Sequence, residues 1–354
     1  MRFVLPLLLI AVGCGNKKIK PQDFETPPRL PSPIAGTYAR VKAEPPDPVI
    51  ANLVRDHRWD ASLGGAAAGL ALAAIRGKNA GLDDWEVREA AWRAGYPYPI
   101  DVVKGWSTAE AEEPEALREW LAGVDPTHDL GLVRARGDRG EAWVALVSNP
   151  RASVGLQPRQ LPIGDVIGLP SIADAHYVVC DPDGIVVEGA LEIAQKFTLD
   201  IDGEWIFEIA DKKGPIALFP VYVGMMPPEI GLLESGPHVR NGAEAVDRVE
   251  AALSDIRGAY SARTWLRDAF LDQAAQGMLT NPKKTATAVA NTLGYPPETM
   301  WRWECRARTV ESCLDQILWD PRSRPALLTD SEFIGLGAEV RRGRVHVVAL
   351  IARD

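Results

Sequence analysis

Cysteine and histidine are both scarce in this chain of 354 residues, with four of the first and five of the second. No Cys-x-x-Cys pair occurs, which excludes a zinc ribbon and a thioredoxin-type redox centre. No histidine lies between His238 and His346, and no two histidines have the spacing of metal ligands on a helix. A nucleophile elbow, a phosphate-binding loop and a His-Glu-x-x-His motif are absent too. The sequence therefore predicts no catalytic residue and no cofactor.

Long runs of basic residues are also absent, and the net charge is −9. A nucleic-acid partner is therefore not expected. Hydrophobic residues make up 46% of the chain and charged residues 25%, which is typical of globular proteins. The length favours two or three domains rather than one.

The N-terminus predicts an export signal. Arg2 precedes an apolar run, Phe3 to Val12, that is shorter than the ~20 residues of a membrane-spanning helix, so we interpret residues 1–13 as a signal peptide. The run ends in Ala11-Val12-Gly13-Cys14, which resembles the bacterial lipobox, whose cysteine receives diacylglycerol. An ordinary secretory signal followed by an unrelated cysteine is the alternative.

The lipobox resemblance implies a protein of the bacterial cell envelope whose partner is a membrane, reached through a lipid on Cys14. Gly15, and not aspartate, follows this cysteine, which by analogy with enteric bacteria favours the outer membrane. Residues 14–48 are rich in proline and carry three lysines near their start. Such a composition predicts an extended tether without a core of its own.

The final stretch, from Thr309 to Arg353, is the most informative. Thr309 is suited to cap a helix whose apolar positions, 310, 313, 314, 317 and 318, form one face. Pro321 should end that helix. Two strands, 333–340 and 344–352, are expected to follow, and the second is apolar on both faces, so it should lie between two layers.

This order resembles the end of the CAP superfamily domain (cysteine-rich secretory protein, antigen 5 and pathogenesis-related 1, also called SCP). In that family a helix leads into a tryptophan and a Ser-Pro-x-His-Arg turn, followed by a leucine-rich loop, a Gly-x-Gly strand and a last strand. The matching residues here are Trp319 to Arg324, Leu327-Leu328, Gly335-Leu336-Gly337 and Ala349-Leu350-Ile351. The resemblance implies an α-β-α sandwich over residues 240–354.

The resemblance also shows what is missing. Familiar CAP domains arrange two histidines and two acidic residues around a cleft that can bind a divalent metal. Glu304 falls at the family's glutamate position, whereas Ser323 falls at the position of the turn histidine. We therefore expect no metal site, and a possible cleft formed by Glu304, Arg322, Ser323 and Arg324. A purely structural role for Glu304 is the alternative.

Two of the cysteines, Cys305 and Cys313, are close in sequence. In an oxidising envelope they could form a disulfide, and they could equally be two buried thiols.

The first domain, residues 49–149, repeats the plan of helices followed by a terminal hairpin. Leu130-Gly131-Leu132 echoes Ile334-Gly335-Leu336, and Ala145-Leu146-Val147 echoes Ala349-Leu350-Ile351. This predicts a second, degenerate CAP-like domain. An unrelated small α/β domain is the alternative.

Between them, residues 151–225 contain short β-type runs separated by turns, which predicts a small immunoglobulin-like β-sandwich. The expected fold class is thus α+β, with two CAP-like domains flanking a β-sandwich.

The leading functional hypothesis is a lipid-anchored envelope protein that binds an unknown protein, lipid or cell-wall ligand, or acts as a scaffold, without chemistry. An envelope hydrolase acting on peptide or cell-wall material, with Glu304, Arg322 and Arg324 as first candidates, is the alternative. A structural subunit of a surface assembly is a third hypothesis.

Overall fold

The computed structural model describes residues 36–75, 84–108, 113–137, 140–226, 239–259, 264–281, 283–296, 299–328 and 332–353. The predicted signal peptide, Cys14 and the tether up to residue 35 lie outside these ranges. Within them, no helix is both long enough and apolar enough to cross a membrane.

The N-terminal unit, residues 36–148, is a four-stranded sheet with helices on both faces. The sheet order is β2-β4-β5-β3, with β2 parallel to β4 and the other pairs antiparallel. One face packs on α2 and α3, and the other on α1 and α4. The elements are β1 (Thr37–Tyr38), α1 (Pro48–Leu53), β2 (Arg58–Trp59), α2 (Ala61–Ile75), α3 (Asp84–Arg93), β3 (Val102–Thr108), α4 (Glu115–Ala122), β4 (Asp129–Gly137) and β5 (Gly140–Ser148).

The chain joins this fold before Pro48, so the predicted end of the tether at residue 48 is wrong. Tyr38 is only 1% exposed. The Arg40 Nε donates to Asp129 Oδ2 at 2.6 Å, and Asp47 both caps α1 and accepts from Arg134 Nε at 2.6 Å. A proline-rich composition also suits an irregular segment lying on a folded surface, and such a segment cannot be told from a free tether by composition.

The middle unit, residues 149–226, consists of two β layers. A five-stranded sheet has the order β10-β9-β12-β13-β7, and a second, two-stranded sheet pairs β8 with β11. Phe197 of β11 lies 5.1 Å from the ring of Tyr177 and 5.8 Å from that of Phe207, so the small sheet covers one face of the large one. The strands are β6 (Gln157–Pro158), β7 (Gln160–Leu161), β8 (Val166–Leu169), β9 (Ala175–Cys180), β10 (Val186–Ala190), β11 (Gln195–Thr198), β12 (Gly203–Asp211) and β13 (Gly214–Val223).

The C-terminal unit, residues 239–353, is again a four-stranded sheet, in the order β14-β16-β17-β15. The strand that comes last in the chain, residues 344–352, is buried on both faces. Its alternate residues pack against α5 and α8 on one side and against α6 and α7 on the other. The elements are α5 (Gly242–Ala259), β14 (Leu266–Arg267), α6 (Ala269–Thr280), α7 (Ala286–Leu293), β15 (Met300–Ala307), α8 (Val310–Leu318), α9 (Arg324–Leu328), β16 (Phe333–Arg341) and β17 (Arg344–Ala352).

The N-terminal and C-terminal sheets share one topology, with a short parallel edge strand, a central hairpin and an antiparallel edge strand in the same order. The side chains of Asp60 and Asp268 accept hydrogen bonds from the first backbone N–H groups of α2 and α6. Gly131 and Gly335 then face the backbones of those same helices so closely that any Cβ would overlap them. The two glycines therefore set the distance between helix and sheet in both units.

Candidate functional site

The turn that carries the CAP resemblance, residues 319–324, is referred to below as the Asp320 turn. It follows α8, whose first turn is capped by Thr309, since its Oγ1 accepts from the backbone N–H of Ser312 at 3.2 Å. The backbone oxygen of Asp320 accepts from the N–H groups of Ser323 and Arg324 at 3.0 and 2.9 Å. Its carboxylate accepts from Arg322 N at 3.1 Å. Asp320 thus fixes the direction in which the next residues project.

A disulfide between Cys305 and Cys313 joins β15 to α8, with a Cα–Cα separation of 5.4 Å. Both cysteines are buried, at 4% and 0% exposure. The bond ties the helix that leads into the Asp320 turn directly to the sheet.

Arg324, at the end of this turn, points into the middle unit. Its side chain is 0% exposed, and its Nη1 donates to Glu204 Oε1 on β12 at 2.5 Å. Cys180 lies in the same region, where burial raises the pKa of its thiol to about 12 although the positive charge of Arg324 opposes the rise. The thiol is therefore protonated, and the buried charge of Arg324 is neutralised by a carboxylate from another unit.

Arg322 reaches the same sheet at its surface. Its Nη1 donates to Glu208 Oε2 at 2.9 Å, and its Nη2 lies 3.4 Å from His176 Nε2. Glu204 and Glu208 are four residues apart on one strand, so they project from one face of the five-stranded sheet. The small sheet covers the opposite face, and the Asp320 turn covers this one.

Trp319, the first residue of the turn, contacts the N-terminal unit. Its ring stacks on that of Trp92 in α3, with 4.5 Å between centroids and an interplanar angle of 20°. Three residues of one turn therefore contact both other units. We call this set of contacts the joint; it is formed by Trp92, Glu204, Glu208, Trp319, Arg322 and Arg324.

Glu304 lies elsewhere, on β15. It pairs with Val348, which packs against α6 and α7, whereas its neighbour Cys305 faces α8. Its Oε1 accepts from His346 Nε2 at 2.8 Å, and Arg302 donates to its other oxygen. Partial burial would raise the pKa of Glu304, but the hydrogen bond from His346 and the charge of Arg302 lower it overall.

The predicted cleft of Glu304, Arg322, Ser323 and Arg324 is therefore wrong. Glu304 projects from the α6–α7 face of the sheet, while the Asp320 turn follows α8 on the opposite face. The hydroxyl of Ser323 donates back to Asp320 within the turn. The CAP resemblance placed Glu304 in this cleft, but Glu304 lies on β15, where neighbouring residues point to opposite faces, so Cys305 faces α8 and Glu304 faces away from it.

Neither face of this unit gathers a metal site among its described residues. Across the described ranges, no group of three or more histidine, cysteine, aspartate or glutamate residues could hold a metal ion.

The N-terminal unit repeats the turn in a different setting. In Asp125-Pro126-Thr127-His128, the backbone oxygen of Asp125 accepts from His128 N at 3.1 Å and its carboxylate accepts from Thr127 N at 2.8 Å. His128 thus has the turn position that Ser323 has in the C-terminal unit. The described residues that line the space beside this turn all belong to the N-terminal unit. The turn borders an open groove of about 620 Å³ whose lining includes Trp120 and Val147.

The sequence interpretation did not find the partners of the joint, although one signal was present. In the run Glu204-Trp205-Ile206-Phe207-Glu208, two acids occupy one face of a strand that is otherwise apolar. Acids at such positions are rare unless they are paired, so they indicate a basic partner from another element.

A second missed feature is a buried cluster in the N-terminal unit. The fully buried Asp129 accepts from Arg40 and from Tyr96, the latter at 2.9 Å, and Arg58 Nε lies 2.9 Å from it. The signal for Tyr96 was a repeated Gly-Tyr-Pro, at 95–97 and 294–296, in which each glycine adopts a positive φ (86° and 85°) after a helix. In the C-terminal unit the equivalent tyrosine packs against Phe333.

No family model and no curated protein matches the chain. Three solved structures are similar to it at low TM-scores. An outer surface protein from Borrelia burgdorferi has a TM-score of 0.27 and 13% identity, over 31% of this chain and 92% of that one. An extracellular protein with an SCP domain from Bacillus anthracis has 0.25 and 12%, over 63% and 81%.

A cysteine-rich secretory protein from Staphylococcus aureus has a TM-score of 0.28 and 12% identity, over 77% of this chain and 90% of that one. Two of these three neighbours are thus SCP or cysteine-rich secretory proteins. What can be said of function rests on the chain's own contacts.

Proposed function

We propose that this chain is a lipid-anchored protein of the bacterial cell envelope that acts as a non-catalytic scaffold or binding protein. In this proposal, two degenerate CAP-like units flank an immunoglobulin-like β-sandwich. The lipobox-like Ala11-Val12-Gly13-Cys14 supports the anchor, and the repeated strand order and helix contacts of the outer units support their common origin.

The observation that carries the proposal is the set of contacts that the side chains of the Asp320 turn make. At the position where the CAP family has the turn histidine of its metal-binding tetrad, this chain has Ser323, whose hydroxyl donates a hydrogen bond within the turn. The arginines on either side are engaged by carboxylates of the middle unit. Both arginines of the turn are thus paired with carboxylates of the middle unit, and Trp319 stacks on Trp92 of the N-terminal unit, which supports a role for the turn in holding three units in one arrangement.

The alternative of a hydrolase built on Glu304, Arg322 and Arg324 loses its site, because these residues do not meet. A zinc titration of the full chain, measured by calorimetry, tests the hypothesis of a non-catalytic protein. We expect no stoichiometric binding at the C-terminal unit. One zinc ion per chain, lost on Glu304→Gln, would contradict the proposal.

The anchor is tested separately with Cys14→Ser. This substitution removes the only thiol at the lipobox-like position, so the protein should move from the membrane fraction to the soluble fraction. Unchanged membrane association would show that the lipobox interpretation is wrong.

A further inference from the structure

Exposed apolar side chains concentrate in the middle unit, which contains eight of the thirteen large ones in the described ranges. Four of the eight lie on two neighbouring segments at one end of the sandwich: residues 162–166, which lead into β8, and residues 224–226. Their exposed fractions are 56% for Ile163, 54% for Val166, 38% for Met225 and 72% for Met226. We call these four residues the methionine corner.

Direct contacts join the two segments. The backbone N–H of Gly224 donates to Leu161 O at 2.9 Å, which places residues 224–226 beside the loop that begins at Pro162. Ile163 lies over Gly224, since a Cβ there would be 2.9 Å from Ile163 Cγ1. The sulfur of Met226 accepts from Gln160 Nε2 at 3.5 Å. Ile163, Met225 and Met226 therefore lie on adjoining segments, and Val166 begins the strand into which the first segment leads.

The chain enters the fold beside this surface. The backbone oxygen of Gly36, the first described residue, accepts from Arg159 N at 2.7 Å. Arg159 directly precedes Gln160, whose amide contacts Met226. Only 21 residues lie between Cys14 and Gly36. At about 3.5 Å per residue, they can place this point no more than about 75 Å from a lipid attached to Cys14.

We propose that the methionine corner is the surface by which this protein rests on a lipid membrane. The inference depends on the proposed anchor at Cys14. An anchored protein is kept at a high effective concentration near the bilayer, so a small apolar surface suffices to orient it. Methionine and isoleucine side chains enter the boundary between headgroups and acyl chains, and flexible methionines adapt to its irregular packing.

The charges around the corner specify the kind of lipid. Asp165, Asp200 and Asp202 are exposed on the same loops or on the adjoining one, and Asp202 Cβ lies 3.2 Å from a Cβ built at Gly224. Anionic headgroups would repel these carboxylates. The corner should therefore rest on zwitterionic lipid and release from strongly anionic lipid.

Methionine oxidation tests the contact with native side chains. The full chain would be coupled through Cys14 to a maleimide phospholipid in phosphatidylcholine vesicles, so the test does not depend on lipidation in the cell. Peroxide oxidation, followed by mass spectrometry, would then compare the vesicle-bound with the uncoupled protein. Among the other described methionines, Met278 and Met300 are buried and serve as internal references.

We expect Met225 and Met226 on vesicles to oxidise at no more than about a third of their rate in the uncoupled protein, since insertion removes them from the aqueous oxidant. A methionine introduced by Phe270→Met, at a 69% exposed position of the C-terminal unit, should oxidise at an unchanged rate. Replacing a third of the phosphatidylcholine by phosphatidylglycerol should abolish most of the protection.

Equal rates for Met226 on vesicles and in solution would overturn the proposal. Equal slowing at Met226 and at position 270 would overturn it too, because it would show general shielding. If Met226 of the uncoupled protein oxidises more slowly as the protein concentration rises, the corner is a contact between copies of this protein, and the membrane proposal is overturned. Finding Cys14 without lipid in cells would reject the anchor, a result distinguishable from all of these.

Discussion

The pair Arg324–Glu204 should be worth far more than the pair Arg322–Glu208, although both join the same turn to the same strand. The side chains of the first pair are 0% and 9% exposed, and those of the second are 45% and 13% exposed. Removing one partner of a buried ion pair leaves an uncompensated charge and typically costs about 3–5 kcal/mol, whereas exposed pairs contribute ~0–1 kcal/mol.

The perturbations are Arg324→Met and Glu204→Gln, singly and together. Each single substitution should lower the free energy of unfolding by about 3 kcal/mol, because the remaining partner stays buried without its counter-charge. The double variant leaves neither charge of this pair buried, so it should lose no more than either single variant. The coupling free energy from the cycle should therefore be about 3 kcal/mol or more.

Urea unfolding followed by tryptophan fluorescence provides the measurement, because Trp92 and Trp319 stack within the joint. The matched control is the same cycle with Arg322→Met and Glu208→Gln, which should give a coupling of ~1 kcal/mol or less. Equal couplings in the two cycles, or single losses below ~1 kcal/mol for Arg324→Met, would refute the assignment of a buried inter-unit ion pair.

Three further outcomes are expected. Cys313→Ala opens the nine-residue loop closed by Cys305 and should cost about 2–3 kcal/mol in urea unfolding, a loss absent when both proteins are measured reduced. Burial raises the pKa of Asp60 to about 7, so the folded state retains a proton that the unfolded state has lost above pH ~4. Unfolding free energy should therefore fall between pH 4 and 7, and Asp60→Asn should flatten that slope. Gly335→Ala should destabilise by about 1–3 kcal/mol because its Cβ overlaps the backbone of α6, whereas Gly277→Ala in α6, which meets nothing, should not destabilise.

Periodicity predicted several elements well. The strand expected over 344–352 spans those residues, and the apolar positions 310, 313, 314, 317 and 318 lie on α8 as expected. The mixed helix and sheet character was confirmed as well. Short-range patterns suffice to predict these elements because the apolar residues of a buried helix face or strand face recur at fixed short spacings in the sequence.

The site could not be predicted in the same way. β15 alternates charged and apolar residues from Arg302 to Ala307, which is a strand pattern. The CAP resemblance predicts Glu304 in one cleft with the Asp320 turn, whereas on β15 it points to the opposite face of the sheet. The partners of Arg324 and Trp319 are 120 residues or more distant in sequence, so only the tertiary structure brings them together.

The central claim is that the joint holds the outer units in one fixed arrangement. Electron-spin distance measurements between labels at position 55 and position 270, in full chains carrying Cys14→Ser, test it most directly. Both native side chains are exposed, at 74% for Arg55 and 69% for Phe270, so labels there should leave the fold intact. We expect a single narrow distance distribution that Arg324→Met broadens. A broad distribution in the chain with an intact joint would contradict the account.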